Sequence, residues 1–187
     1  MKYLLSLLFA LLATAAWAAP PLDADFSKAT AAEELFEKLP GVQVATVDGT
    51  RVLVAADATI RFRDATVKPA TKYTLTLNAS FQGDVESIEE NPRFEVFNRL
   101  GKTSARLPSR EIRFFDAAGK PAGKPLVFGM PFKNQHAYQD VFYTPRDAVS
   151  ARIALSAGKD VRLIVANLKF EETDDEGALL AERTDEG

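Results

Sequence analysis

Two short segments of the sequence, residues 93–97 (RFEVF) and 111–115 (EIRFF), place charged and aromatic side chains at alternate positions. Successive side chains of a β-strand point to opposite faces of its sheet. If the apolar residues at 94, 96, 112 and 114 face a core, four side chains share the other face: Glu95, Phe97, Arg113 and Phe115. Aromatic rings stack on sugar C–H groups, and charged groups form paired hydrogen bonds with vicinal hydroxyls. These residues predict a sugar-binding surface; the alternative is that a loop or helix covers this face and makes its aromatics core.

The other residues that could do chemistry do not form a catalytic set. The chain has no Cys, which excludes thiol catalysis and thiolate metal sites, and spacing assigns no partner to its one His, His136. We expect His136 in a surface loop. An acidic loop (83–91) and a basic loop (99–110, including Arg110) are predicted to be solvated. The alternatives are a glycosidase carboxylate pair in the first and a grip for an acidic glycan or protein in the second. We therefore predict no catalytic residue and no enzymatic activity.

The elements that must position these side chains are strands. Residues 73–81 (YTLTLNASF) alternate strictly between apolar or aromatic and polar residues, which is typical of a strand with one buried face. Similar runs recur about every ten residues, separated by turn signals such as Asp48-Gly49. The predicted strands are 51–55, 59–63, 73–81, 93–97, 111–115, 125–128, 138–144, 151–155 and 161–170. This pattern predicts an all-β fold, an antiparallel β-sandwich of the jelly-roll type.

One short N-terminal helix is predicted before the strands. Thr30 and Glu33 have the spacing of a capping box, in which both side chains satisfy free backbone N–H groups at a helix start. The helix is expected to run to Leu39, because Pro40-Gly41 follows.

The first 18 residues have the three parts of a secretory signal peptide. Lys2 gives a positive start, residues 4–13 form an apolar run, and Ala16-Trp17-Ala18 is a small-x-small cleavage site. The apolar run is shorter than the roughly 20 residues that span a bilayer. We expect cleavage after Ala18, a periplasmic or extracellular location, and no integral membrane segment in the mature protein; the alternative is an uncleaved N-terminal anchor.

The negative charge is concentrated at the C-terminal end. Residues 171–187 contain eight Asp or Glu and one basic residue, Arg183, and they contain no aromatic residue. Such a segment buries too little apolar surface to offset its ordering entropy, so 173–187 is predicted to be a disordered acidic tail. The alternative is a tail that binds Ca²⁺ or a partner. The remaining body has only a small positive charge, which does not indicate nucleic-acid binding.

Residues 42–172 resemble exported carbohydrate-binding modules of the galactose-binding-like jelly-roll type. The resemblance is carried by the order of three segments: 48–83, with its Lys-Pro turn leading into a long Tyr-initiated strand; 111–123 (EIRFFDAAGKPAG); and 138–172, whose last strand reads VRLIVANLKF. It implies a jelly roll and carbohydrate binding. Tyr138 stands where the closing segment of these modules often has Trp, which makes Tyr138 a further candidate for ligand binding.

Two departures limit what the resemblance implies. Sugar-binding members usually present an aromatic platform, and the only Trp, Trp17, belongs to the signal peptide. The modules often hold a structural Ca²⁺ through a carboxylate of the last strand, where this chain has Asn167, a neutral ligand. We therefore expect no cofactor and disfavour a structural calcium ion.

The sequence as a whole predicts an exported, non-catalytic β-sandwich module over residues 19–172. Its expected partner is a polysaccharide or a cell-surface protein. The alternative is a structural or protein–protein interaction module without sugar binding.

Overall fold

The structure is a computed structural model that describes residues 22–28, 30–85, 107–174 and 179–181. Within these residues the chain forms strands and one short 3-10 helix, Thr30–Leu35. The strands are β1 (Leu22–Asp25), β2 (Val42–Val47), β3 (Thr50–Ala56), β4 (Thr59–Arg61), β5 (Ala65–Thr66), β6 (Lys72–Gly83), β7 (Ser109–Phe115), β8 (Leu126–Gly129), β9 (His136–Tyr143), β10 (Ser150–Ser156), β11 (Val161–Glu172) and β12 (Leu179–Ala181).

The strands form two sheets. The seven-stranded sheet has the order β12-β9-β6-β11-β3-β2, and β1 also pairs with β11; the five-stranded sheet has the order β4-β10-β7-β8, and β5 also pairs with β10. Every pairing is antiparallel except that of β12 with β9. The predicted all-β sandwich is confirmed.

Strand β6 shows how the sequence pattern produces the sandwich. It lies between β9 and β11, and Tyr73, Leu75, Leu77 and Ala79 are all buried on its inner face. These are odd-numbered positions of the predicted alternation, so its buried face is confirmed. On the face predicted to be solvated, Thr74 is buried as well.

The core lies between the sheets and contains a continuous aromatic stack. Tyr73 stacks on Phe170 with ring centroids 5.0 Å apart, Phe170 stacks on Phe142 at 6.1 Å, and Phe142 contacts Phe114 at 5.9 Å. Because Phe114 belongs to β7 and the other three rings to the larger sheet, this stack joins the two layers.

A buried ion pair also joins the layers. Arg110, on β7, donates from Nε and Nη2 to the two carboxylate oxygens of Asp140, on β9, and its Nη1 donates to the carbonyl of Gly129 at 2.6 Å. The guanidinium carbon lies 5.2 Å from the ring centre of Phe128 and 4.8 Å from that of Tyr138. Arg110 was predicted to lie in a solvated basic loop, and this prediction is wrong: the loop sequence runs directly into β7, and Arg110 takes an inward position there.

The N-terminal region also differs from the prediction. The 3-10 helix ends at Leu35 instead of continuing to Leu39, and Phe36 instead forms a β-bridge with Phe62. The backbone of 35–37 bonds to Arg61 and Arg63, so pairing with a strand replaces the remaining helical turn. The sequence patterns also missed β1, β2 and β5.

Part of the segment predicted as a disordered tail has a defined place. Leu179–Ala181 forms β12, which pairs with β9 opposite Val141 and Phe142. Backbone pairing at a sheet edge does not require the apolar side chains on which the disorder prediction depended. Among the described residues, no helix is long and apolar enough to cross a membrane.

Candidate functional site

The outer face of the five-stranded sheet brings two predicted site residues together. On β7, Ile112 and Phe114 are buried, while Arg113 is exposed and Phe115 is half-buried. We call the surface formed by the outward side chains of β4, β7, β8 and β10 the small-sheet face. Its outward side chains are Thr59, Arg61, Ser109, Glu111, Arg113, Phe115, Val127, Ser150, Arg152, Ala154 and Ser156.

Strand pairing determines which of these side chains are neighbours. Arg113 lies opposite Arg152 on β10, and Phe115 lies opposite Ser150. In the next row, Ala154 lies between Arg61 of β4 and Glu111 of β7. The centre of the face therefore has a small side chain, that of Ala154, and charged side chains surround it.

Arg152 is the most strongly positioned of these charged groups. Its Nε and Nη2 donate to the two carboxylate oxygens of Asp64 at 2.7 and 2.9 Å, and its guanidinium carbon lies 5.1 Å from the ring centre of Phe115. The hydrogen bonds to Asp64 and the charge of that carboxylate raise the pKa of Arg152 further above its ordinary value. The two side chains are 45% and 42% exposed, so water and a ligand can reach both partners.

Two further ion pairs surround the centre of the face. Arg113 Nε donates to Glu111 Oε1, and Arg61 lies 3.7 Å from the carboxylate of Glu37. Arg113 is 61% exposed. Exposed pairs of this kind contribute little to folding, about 0–1 kcal/mol each, because the charges are well solvated apart. Their guanidinium and carboxylate groups can therefore exchange partners with a ligand at low cost.

Comparison with known proteins informs the fold. No protein-family model and no curated protein matches the chain. Among solved structures, a family 16 carbohydrate-binding module matches with a TM-score of 0.51 and 12% identity, covering 73% of this chain and 90% of that one. The C-terminal family 22 module of Clostridium thermocellum Xyn10B matches with a TM-score of 0.50 and 9% identity, covering 82% and 94%.

A third match comes from a larger protein. The N-terminal CBM22-1 and GH10 modules of the Clostridium thermocellum xylanase, solved with xylohexaose, match with a TM-score of 0.52 and 8% identity, covering 81% of this chain and 28% of that one. The chain has the jelly-roll fold of carbohydrate-binding modules. At these identities the likeness shows the fold alone.

The structure describes three of the five predicted ligand-binding residues. Arg113 and Phe115 lie on one outer face, as predicted. Tyr138 lies between the sheets, is 6% exposed and contacts Arg110, because β9 turns its even-numbered positions inward. Glu95 and Phe97 lie outside the described residues, as does the rest of the predicted strand 93–97.

Sequence reasoning missed Glu111, Arg152 and Asp64. The same alternation that placed Arg113 outward also applies to Arg152, because Ala151 and Ile153 beside it are apolar. What the sequence did not contain was the pairing of β10 with β7. Asp64 follows β4, and its contact with Arg152 joins residues 88 positions apart.

Two other predicted positions can be compared with the structure. His136 begins β9, is half-buried and stacks on Phe132 with ring centroids 3.8 Å apart, so it is not a free loop residue. Asn167, which stands where similar modules often have a calcium-binding carboxylate, accepts a hydrogen bond through its Oδ1 from the amide Nδ2 of Asn78 at 3.0 Å. In the part of the chain that the structure describes, no cluster of three or more His, Asp or Glu could hold a metal ion.

Proposed function

We propose that the protein is an exported, non-catalytic module that binds a carbohydrate of the cell envelope through the small-sheet face. The observation that carries this proposal is the convergence of Arg113, Glu111 and the Arg152–Asp64 pair around a centre of small side chains. Guanidinium groups donate in a fixed fork and carboxylates accept from two hydroxyls, so together they suit the vicinal hydroxyls of a sugar. Val127, which is 40% exposed, adds apolar surface for the C–H groups, and the Phe115 ring supports the guanidinium of Arg152 from below.

The carboxylates of the face support binding rather than hydrolysis. Glycoside hydrolysis needs one carboxylic acid that stays protonated and a second carboxylate about 5 to 9.5 Å away across the scissile bond. Glu111, Asp64 and Glu37 are each paired with an arginine, so these three carboxyl groups do not form a free acid–base pair. Export is supported by the signal-like residues 1–18.

A second candidate function is binding of a protein partner through the same face. The guanidinium of Arg152 lies over the Phe115 ring, on a surface that a sugar would use for stacking. Arginine and aromatic residues are also enriched in protein interfaces. This observation favours a partner that brings its own carboxylates to Arg113 and Arg152.

The test is a glycan array together with pull-down on insoluble polysaccharides, using the mature chain 19–187. The loss-of-binding variant is Arg113→Ala with Arg152→Ala. The control is Lys169→Ala with Lys28→Ala, which removes the same charge from two exposed lysines that are also paired with carboxylates. We expect the first variant to bind at least about tenfold more weakly and the control to bind normally, since hydrogen bonds to charged groups contribute about 1.5–3 kcal/mol. Absence of binding to every glycan would reject the carbohydrate proposal and leave the protein partner.

A further inference from the structure

The outer face of the seven-stranded sheet, on the opposite side of the sandwich, contains a cleft of about 200 Å³. Its walls are the turn between β2 and β3, the outward side chains of β6 and β11, and Gln135 just before β9. We call it the large-sheet cleft. No residue of the small-sheet face lines it.

The floor of the cleft is apolar. Val52 and Ile164 lie there with exposures of 5% and 7%, and they belong to a small hydrophobic cluster separate from the core between the sheets. Ala166 joins this floor at a β-bulge, where the pairing of β11 with β6 skips one residue between Val165 and Asn167. A bulge re-aims the local side chains, and here it places a small residue where a ligand can approach.

The rim of the cleft is polar and almost uncharged. Asn78, Ser80, Gln82 and Gln135 supply amides and a hydroxyl, and the amide of Asn78 is held by its hydrogen bond to Asn167. Of the described residues that line the cleft, Asp48 is the only charged one, and it lies in the β2–β3 turn with a φ of 49°. Amides and hydroxyls both donate and accept, so they match hydroxyl groups better than they match ions.

We propose that the large-sheet cleft is a second binding site, which takes one neutral sugar ring. The apolar floor would contact the C–H face of the ring, and the Asn, Ser and Gln side chains would bond its hydroxyls. The cleft is smaller than the roughly 300–1,000 Å³ of sites for drug-sized ligands, which suits a terminal sugar rather than a chain. Since the two sites lie on opposite sides of the sandwich, a module with both could connect two glycan chains. The second site does not depend on the first.

The charge of the rim makes the proposal specific. Asp48 would repel an acidic sugar, so a uronate should bind about fivefold more weakly than a neutral glycoside, the effect of one close like charge in water. A single sugar ring has few atoms that can contact the protein, so we expect a Kd of about 1 mM at best.

The experiment is an NMR titration of the ¹⁵N-labelled mature chain with methyl β-glucoside, methyl β-galactoside and glucuronate. The expected result is saturable shifts at the amides of Asp48, Ser80 and Gln135 with at least one neutral glycoside, and weaker shifts with glucuronate. The variant Gln82→Ala with Gln135→Ala removes two exposed rim amides and should weaken binding at least about fivefold. Urea unfolding of the same variant checks that the fold is intact.

The same spectra separate this proposal from the first one, because the amides of Arg113 and Arg152 report on the small-sheet face. Shifts there without shifts in the cleft would overturn the second site and keep the first. Shifts confined to the cleft would support the second site and leave the first site to the glycan array. Absence of saturable shifts at the cleft with both neutral glycosides, equal binding of glucuronate, or unchanged binding by the double variant would overturn the inference.

Discussion

The protein contains two Arg–Asp pairs with nearly the same internal geometry and very different surroundings. In both, the guanidinium donates Nε and Nη2 to the two oxygens of one carboxylate and lies about 5 Å from an aromatic ring. The side chains of Arg110 and Asp140 are 7% and 0% exposed, whereas those of Arg152 and Asp64 are 45% and 42% exposed. One pair lies between the sheets and the other lies on an outer face.

Burial decides what each pair can do. Between the sheets, neither charge can be solvated if its partner is lost, so Arg110 and Asp140 hold each other and the two layers in place. On the outer face, water can replace either partner, so the Arg152–Asp64 pair adds little to stability. Its donors and acceptors can serve a ligand for the same reason. Similar contacts thus have a structural role where the pair is buried and, in our proposal, a binding role where it is exposed.

The largest effect is expected when the buried pair is broken. Arg110→Ala should lower the free energy of unfolding by about 3–5 kcal/mol, because Asp140 then remains as a buried charge without its partner. Urea unfolding of the mature chain measures this. Arg110→Met with Asp140→Leu should recover most of the loss, since it removes both charges and fills their place with apolar side chains. A loss below about 1 kcal/mol for Arg110→Ala would mean that the pair is not structural.

A smaller effect is expected at Phe115, the ring beneath the exposed pair. Phe114 and Phe115 are neighbours in the chain but face opposite sides of the sheet, with Phe114 only 2% exposed. Phe114→Ala should cost about 3–5 kcal/mol, as for other buried aromatics, and Phe115→Ala about 1 kcal/mol. The free energies of unfolding of both variants can be measured in guanidinium chloride. Equal losses would show that Phe115 is part of the core and that the small-sheet face is covered.

The smallest effect is expected at the C-terminal tail. Deleting 175–187 removes β12 and with it a few backbone hydrogen bonds to the edge of β9. Such bonds contribute little at a solvated sheet edge, so the unfolding free energy should fall by less than about 1 kcal/mol. Thermal unfolding of the deletion variant would refute this if it showed a loss as large as that of Arg110→Ala.

Features that depend on local sequence pattern could be predicted from the sequence, and features that depend on long-range strand pairing could not. The alternation of 73–81 and 111–115 is a local property, so it correctly placed Tyr73 inside and Arg113 outside. The two Arg–Asp pairs join residues 30 and 88 positions apart, and no local pattern contains such information. Arg110 shows the consequence: it lies between Ser109 and Glu111 in the sequence, and the opposite sheet supplies the carboxylate that allows its burial.

The most direct test of a binding role for the exposed pair is the glycan affinity of Arg152→Lys, measured by calorimetry with whichever glycan binds the wild type on the array. Lysine keeps the charge but loses the planar fork and its contact with Phe115. We predict that affinity falls at least about tenfold while the unfolding free energy changes by less than about 1 kcal/mol. Unchanged affinity, or a loss of stability comparable to that of Arg110→Ala, would contradict the division of the two pairs into binding and structure.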